Sequence, residues 1–275
     1  MKPVISVLIP VYNQEKRIED CLKSVVWADE ILVVDSFSAD KTLDICRKYT
    51  DKIIQHEYVN SAAQKNWALA NLEFCGDWIL IIDSDEVMTP ELKDEILKRA
   101  GREKYLGYYF PRKNFFLGKW IRHGGWYPDW NIKLFKKGSG RFEDKSVHAE
   151  AVISGSVGYM KNPIIHYPRE SIGDYLKHMD QFTTWRAQDI YKSQSGEMEV
   201  ELVSLPKLSR PLLKFIWRWL PFKPFWRFIW FYVLKLGFLD GYRGFLLALL
   251  WGFDLYLSYA KCWELKVKEQ NENRH

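Results

Sequence analysis

The chain has 275 residues, 47% of them hydrophobic, with 40 Lys and Arg against 35 Asp and Glu for a net charge of +5. That length accommodates one large domain, or one domain plus an appendage. The four cysteines include no Cys-x-x-Cys pair, which argues against a structural zinc site and fits small core residues in a reducing compartment.

The opening "MKPVISVLIPVYN" turns polar too soon for a signal peptide and reads as a first strand, 4–9. Residues 15–26 follow with helical spacing, Ile18, Cys21, Leu22, Val25 and Val26 sharing one face. "EILVVD", 30–35, is a second strand. A turn and a helix capped at Asp40 lead to a third, "KIIQH", 52–56. Residues 61–74 are helical and carry Lys65 and Asn66. "DWILIIDSDE", 77–86, is a buried strand that ends in Asp83, Asp85 and Glu86. Continuous apolar strands alternating with helices predict an α/β fold, a parallel sheet covered on both faces. Ligands of such sheets bind beyond the carboxyl ends of the strands, where Asp35 and Asp83 both fall. From residue 105 onward short strands and turns are expected, with a hairpin in "YLGYYFPRKNFFLG". A helix then runs on from Gly173. No run of 18 uncharged apolar residues marks a simple membrane-spanning helix.

The Asp-x-Asp at a strand end suits a hard divalent cation, Mg²⁺ or Mn²⁺, which takes carboxylate oxygens and keeps positions for phosphate. The alternative is a capping cluster for the helix after Thr89-Pro90-Glu91. Four ordered motifs then carry a resemblance: "SVLIPVYNQE", "EILVVDSFSADKT", "AAQKNWAL" and "GDWILIIDSDE" are similar to those of family 2 glycosyltransferases of the GT-A fold, over about residues 3–150. The resemblance implies that Pro10, Tyr12 and Glu15 line a nucleoside pocket and that Asp35 accepts a hydrogen bond from uracil. It also implies that Lys65 approaches the diphosphate, that Asp83 faces the sugar or ribose, and that Asp85 binds the metal. Lys65 stands where arginine is common in the family, so a point charge replaces a two-pronged contact. Taken by themselves, Asp35 reads equally as a turn cap, Lys65 as an exposed helix residue, and Glu15 as a first-turn acid favoured by the helix dipole.

Inverting transfer needs a base for the acceptor hydroxyl. "GGWYPDWNIKLF", 124–135, offers Asp129 between aromatic residues, with Glu143 and Asp144 as weaker candidates and a turn-forming Pro-Asp as the plain alternative. Within family 2 this stretch, with the later Val-His turn, resembles lipopolysaccharide inner-core glucosyltransferases acting on heptose. His148 is a candidate metal ligand or a core histidine. Relatives often read Val-His-Glu where this chain has Val147-His148-Ala149-Glu150, which leaves the role of that glutamate open. His166 and His123 are less specific.

Residues 202–239 contain no acid, seven cations and eleven aromatics. Arg210, Lys214 and Arg218 repeat at helical spacing, Pro221 and Pro224 break that helix, and a second starts near Phe225. "GFLLALLWGF", 244–253, is apolar but short, with Asp254 interrupting it. Docking on an anionic membrane surface is favoured over a buried helical subdomain or dimer interface, and nucleic acid is not expected. The expected organisation is a GT-A catalytic domain at 1–192 with donor and acceptor halves meeting near residue 100, a linker at 193–206, and a basic, aromatic helical segment at 207–275. The expected enzyme is metal-dependent and moves a hexose, with UDP-glucose as donor, onto a lipid-linked glycan such as a core heptose. It works at the cytoplasmic face of the inner membrane. A polyprenyl-phosphate glycosyltransferase is the enzyme alternative, and a catalytically inert membrane scaffold the non-enzyme one. A sugar nucleotidyltransferase usually opens with a Gly-rich loop, which "IPVYNQE" lacks.

Overall fold

The computed structural model describes residues 3–102, 104–144, 149–168, 171–192 and 222–272. The chain forms two compact units, one of Met1–Phe115 with Pro128–Pro168, the other of Phe116–Tyr127 with Arg169–His275.

In the first unit, β1 (Ile5–Val11), β2 (Glu30–Asp35), β3 (Ile53–Gln55) and β4 (Trp78–Ile81) lie parallel in the order β3-β2-β1-β4. Their continuous apolar runs are buried on both faces. Ile5, Val7 and Ile9 pack with Ile18, Leu22 and Val25 of α1 (Ile18–Val25) and with Leu92 and Ile96 of α4 (Pro90–Ala100). Leu8, Leu32 and Val34 pack on the opposite side with Ala62 and Ala68 of α3 (Ser61–Asn71). A short α2 (Thr42–Cys46) lies between β2 and β3. Asn60 caps α3 by accepting the Ala63 N–H at 2.8 Å. Thr89 caps α4 by accepting from Leu92 N–H at 3.2 Å, so the neighbouring acids are not that helix's cap.

Beyond β4 the sheet becomes mixed. β5 (Glu86–Met88), β6 (Gly107–Phe116), β8 (Asp129–Lys136) and β12 (Ile164–His166) extend it in the order β4-β8-β6-β12-β5. β8 runs antiparallel to both β4 and β6, and β12 is parallel to β6 and antiparallel to β5. β11 (Val157–Tyr159) pairs with β6, and β9 (Gly140–Phe142) with β10 (Ala151–Ile153). The expected hairpin reverses only at Leu117-Gly118, both at positive φ, before β7 (Lys119–Trp120). β6 itself continues through Pro111. Cys21, Cys46 and Cys262 are buried thiols, and Cys75 is exposed.

The second unit contains α5 (Ile172–Lys192), α6 (Lys223–Ile229), a π turn at Trp230–Leu234, a 3₁₀ turn at Gly237–Asp240, and α7 (Tyr242–Glu272). Pro224 sits in the first turn of α6, where its missing N–H costs nothing. Phe116 and Ile121 pack against Leu247 and Leu250 of α7. Buried Asp240 accepts from the backbone N–H of Arg122 at 3.1 Å and of His123 at 2.7 Å. Asp254, which interrupts the apolar run, lies within α7, where Arg186 bonds its carboxylate and Arg227 stands 3.5 Å away. By length and composition α7 is long and apolar enough to cross a membrane, with a mean hydropathy of 1.2 over its most apolar stretch, 39% of which is buried. The segment 193–221, including the linker, Lys207, Arg210, Lys214 and Arg218, lies outside the described residues.

Candidate active site

The acids after β4 are neutralised from within the protein. Asp83 and Glu86 close a tight turn, the Glu86 N–H donating to the Asp83 carbonyl at 2.9 Å and the Asp83 N–H to Glu86 Oε2 at 3.0 Å. Lys133, buried on β8, donates to Asp83 Oδ2 at 2.6 Å and to Glu86 Oε2 at 2.7 Å. Lys65, on α3, reaches Asp83 Oδ1 at 2.7 Å. Burial alone raises the Asp83 pKa. Lys133 and Lys65 outweigh it and hold the carboxyl well below the usual range. Burial lowers and Asp83 with Glu86 raise the Lys133 pKa, leaving it above the ordinary lysine value.

The register of β12 on β5 sets His166 opposite Glu86, and its register on β6 sets His166 opposite Asn114. His166 Nε2 lies 3.4 Å from Asp85 Oδ2, and its Nδ1 lies 2.6 Å from Asn114 Oδ1. Asn114 Nδ2 donates to the Asp129 carboxylate at 3.1 Å, so its Oδ1 faces His166 as an acceptor. His166 Nδ1 therefore carries a proton, and in the neutral ring Nε2 presents a lone pair toward Asp85. An oxygen and a nitrogen donor facing one another call for a proton or a cation. Burial of Asp85 raises its pKa, and a proton on Nε2 of His166 overcomes that and lowers it.

Asp129, the first residue of β8, is met by Arg112 Nε at 2.8 Å and Nη2 at 2.7 Å, and by Asn131 Nδ2 at 3.1 Å. Arg112 Nη1 stands 3.6 Å from Glu86 Oε1, a buried oxygen with no hydrogen-bond partner. Asp83, Lys133, Glu86, Arg112 and Asp129 thus alternate in sign. Asn114 and His166 connect the far end of the series back to Asp85.

The profile described as Glycosyl transferase family 2 matches residues 6–155, more than half of the chain. The chain is a family 2 glycosyltransferase. Its α/β sheet is that of the GT-A fold. It is 26% identical to an uncharacterized glycosyltransferase of Rickettsia typhi, the match covering 97% of this chain and 89% of the relative. It is 24% identical to the lipopolysaccharide core biosynthesis glycosyltransferase LpsC of Rhizobium meliloti, over 74% of this chain and 78% of that one. Among solved structures, residues 1–349 of S. aureus TarS in complex with UDP-GlcNAc match with a TM-score of 0.48 at 15% identity, covering 98% of this chain and 92% of that fragment.

In this glycosyltransferase, the residues assigned to the donor by resemblance fall into two groups. Pro10 and Asp35 lie at the carboxyl ends of β1 and β2, and Tyr12 and Glu15 follow β1 where two loops are laced together. Asn13 N–H donates to Ser38 Oγ at 2.9 Å, Gln14 N–H to Thr42 Oγ1 at 2.7 Å, and Lys41 N–H to Glu15 Oε2 at 3.1 Å. The Glu15 side chain is therefore engaged in holding the second loop, while the Tyr12 ring is exposed. Asp35 is buried and accepts from Ser38 N–H and Gln55 Nε2, both at 3.0 Å. The second group is Lys65, Asp83 and Asp85, which share the charge network with Asp129. Lys65 is buried rather than on an exposed helix face. His148 lies outside the described residues, and Glu143 accepts the Glu150 N–H at 3.2 Å.

Lys133, Arg112 and Asn114 went unassigned in the sequence, where His166 stood only as a less specific histidine beside His148. A lysine inside the apolar run "IKLF" was a local signal. The approach of His166 to Asp85 had none, because it depends on a pairing 80 residues away. Among the described residues no group of three or more His, Cys, Asp or Glu is arranged to hold a metal ion. Asp85 and His166 offer two donors, which fits an ion that takes its remaining ligands from phosphate and water.

Proposed function

We propose that this family 2 enzyme is a metal-dependent, inverting transferase that moves a hexose from a nucleotide diphosphate, UDP-glucose by preference, onto a lipid-linked glycan such as a heptose of a lipopolysaccharide core. The observation that carries the reading is the Asp85–His166 pair beside a lysine-clamped Asp83 at the carboxyl end of β4. Asp85 and His166 hold Mg²⁺ or Mn²⁺. The bound cation supplies positive charge against the leaving diphosphate. Asp83 has both oxygens committed to lysines, so its part is to orient Lys65 toward the diphosphate and to face the sugar or ribose. Tyr12 and Asp35 receive the nucleoside, with Pro10 and Glu15 shaping the loops around it.

The acceptor oxygen attacks the anomeric carbon as the bond to the diphosphate breaks, and its proton passes to the Asp129 carboxylate. LpsC is named for lipopolysaccharide core biosynthesis, which supports a core acceptor. The reading places the work at the cytoplasmic face of the inner membrane, where nucleotide sugars meet lipid-linked acceptors. An acceptor of the polyprenyl-phosphate class suits the exposed apolar face of the second unit equally, and a product assay with each acceptor separates them.

Screening nucleotide sugars for protection against thermal unfolding, with and without Mn²⁺, tests the donor and the cation together. UDP-hexose is expected to protect only with metal. Asp85→Ala should abolish the metal-dependent part and leave the fold intact, and unchanged protection rejects its ligand role. Asp129→Asn should keep donor binding while lowering transfer about 100-fold or more. Substantial residual transfer moves the base elsewhere.

A further inference from the structure

Among its described residues, the second unit carries an apolar face with large exposed side chains. On α7, Tyr242, Phe245, Leu249, Phe253 and Tyr256 recur every three or four residues, and Leu249 and Tyr256 are 49% and 55% exposed. Immediately before that helix, the turn after α6 holds Leu234, Leu236 and Leu239 outward, Leu234 at 62%. Leu236 adopts positive φ, a conformation costly for a leucine and held with its side chain in solvent. Large apolar side chains clustered in this way are uncommon on a surface that meets only water.

Ahead of Glu264, Glu269 and Glu272 in the last turns of α7, the charge of this region is one-sided. Between residues 222 and 263 the acids are Asp240 and Asp254, against Lys223, Arg227, Lys235, Arg243 and Lys261. Asp240 is buried against the Arg122 and His123 amides, and Asp254 is taken by Arg186 and Arg227. Neither acid adds negative charge to the exposed face. Polar contacts tie another side of α7 to α5, among them Lys261 to Asp180 at 2.7 Å and Arg186 to Asp254. A helix crossing the bilayer would have to carry Asp254 and this seam into hydrocarbon.

We propose that this face docks the second unit on an anionic lipid bilayer. α7 lies parallel to the surface, and the Leu234–Leu239 turn enters the boundary between headgroups and acyl chains. Tyrosines settle at that depth, and Lys223 and Lys235 meet the lipid charge. The proposal deepens the lipid-linked reading of the acceptor but does not depend on which sugar is transferred.

Co-sedimentation of the full-length protein with phosphatidylcholine vesicles, plain or with about one-third phosphatidylglycerol, tests it. Binding is expected to the anionic vesicles and to weaken with salt. The double variant Leu234→Glu, Leu239→Glu should lose about tenfold or more in vesicle affinity and keep its nucleotide-dependent thermal shift, since the donor residues lie in the first unit. Equal binding by the variant, or no binding by the wild type, overturns the proposal. So does a stable wild-type dimer without lipid that the variant abolishes, because the face then belongs to a second copy. Alkaline carbonate should release the vesicle-bound protein, and retention in the pellet rejects the in-plane helix in favour of a spanning one. Failure here with donor protection intact leaves the transferase reading standing.

Discussion

Four nitrogen donors converge on the Asp129 carboxylate, two from Arg112 and one each from Asn114 and Asn131. Burial raises the pKa of such a group, but Arg112 and Asn114 more than offset this and hold it below the ordinary value. The carboxylate is therefore ionised near neutral pH, and Arg112 is the main group that opposes its protonation. In Arg112→Gln the burial remains and the cation is gone, so the Asp129 pKa rises. The acid limb of the transfer rate should then move to higher pH, measured as kcat against pH. A limb that stays in place shows that Asp129 is not the titrating base. Lys133 plays the corresponding part for Asp83. Its ammonium bridges Asp83 and Glu86, which stand close enough to repel each other without it.

Among the elements, the approach of α7 to its neighbours depends on two glycines. A Cβ on Gly244 would stand 1.9 Å from the Gly237 carbonyl oxygen, and one on Gly252 would stand 2.8 Å from the Pro224 carbonyl oxygen. Both obstacles are backbone, which cannot rotate away. Gly244→Ala should therefore push the 3₁₀ turn off α7 and cost about 2 kcal/mol or more, despite alanine's better helix propensity. Chemical denaturation followed by tryptophan fluorescence measures it, and an unchanged midpoint rejects the close approach. Strand β12 is the matching case in the first unit. Its three residues lie between β6 and β5, and their register alone carries His166 to Asp85.

Across the whole molecule, the parallel strands have a chemical end and a structural end. At the structural end, Glu30 opens β2 and accepts from Ser6 of β1, from Lys52, and from the Cys75 N–H ahead of β4 at 2.9 Å. Its burial works against ionisation, but Lys52 and Ser6 prevail and hold the pKa at about 2 instead of 4.5. A depressed carboxylate contributes stability that is complete above the unfolded pKa and is lost as pH falls through the folded one. The wild type should therefore shed about 2 kcal/mol between pH 4.5 and 2, a figure reduced because Lys52 is half exposed. Glu30→Gln should be less stable at neutral pH and lose less across that window. Parallel acid titrations of the two proteins check this, and identical slopes reject it.

The sequence by itself determined the parallel strands, the helices between them, and Asp83 and Asp85 at a strand end, because each is written in local periodicity and in motifs within one strand–turn unit. It left Lys65 open between surface and site, ranked His166 below His148, and passed over Arg112, Asn114 and Lys133. Only the tertiary structure decided those, since a side chain on one strand meets a carboxylate on another through register, which no local pattern encodes. The same holds for Asp254. Along the chain it interrupts an apolar run. In three dimensions Arg186, 68 residues away, neutralises it within a single continuous helix.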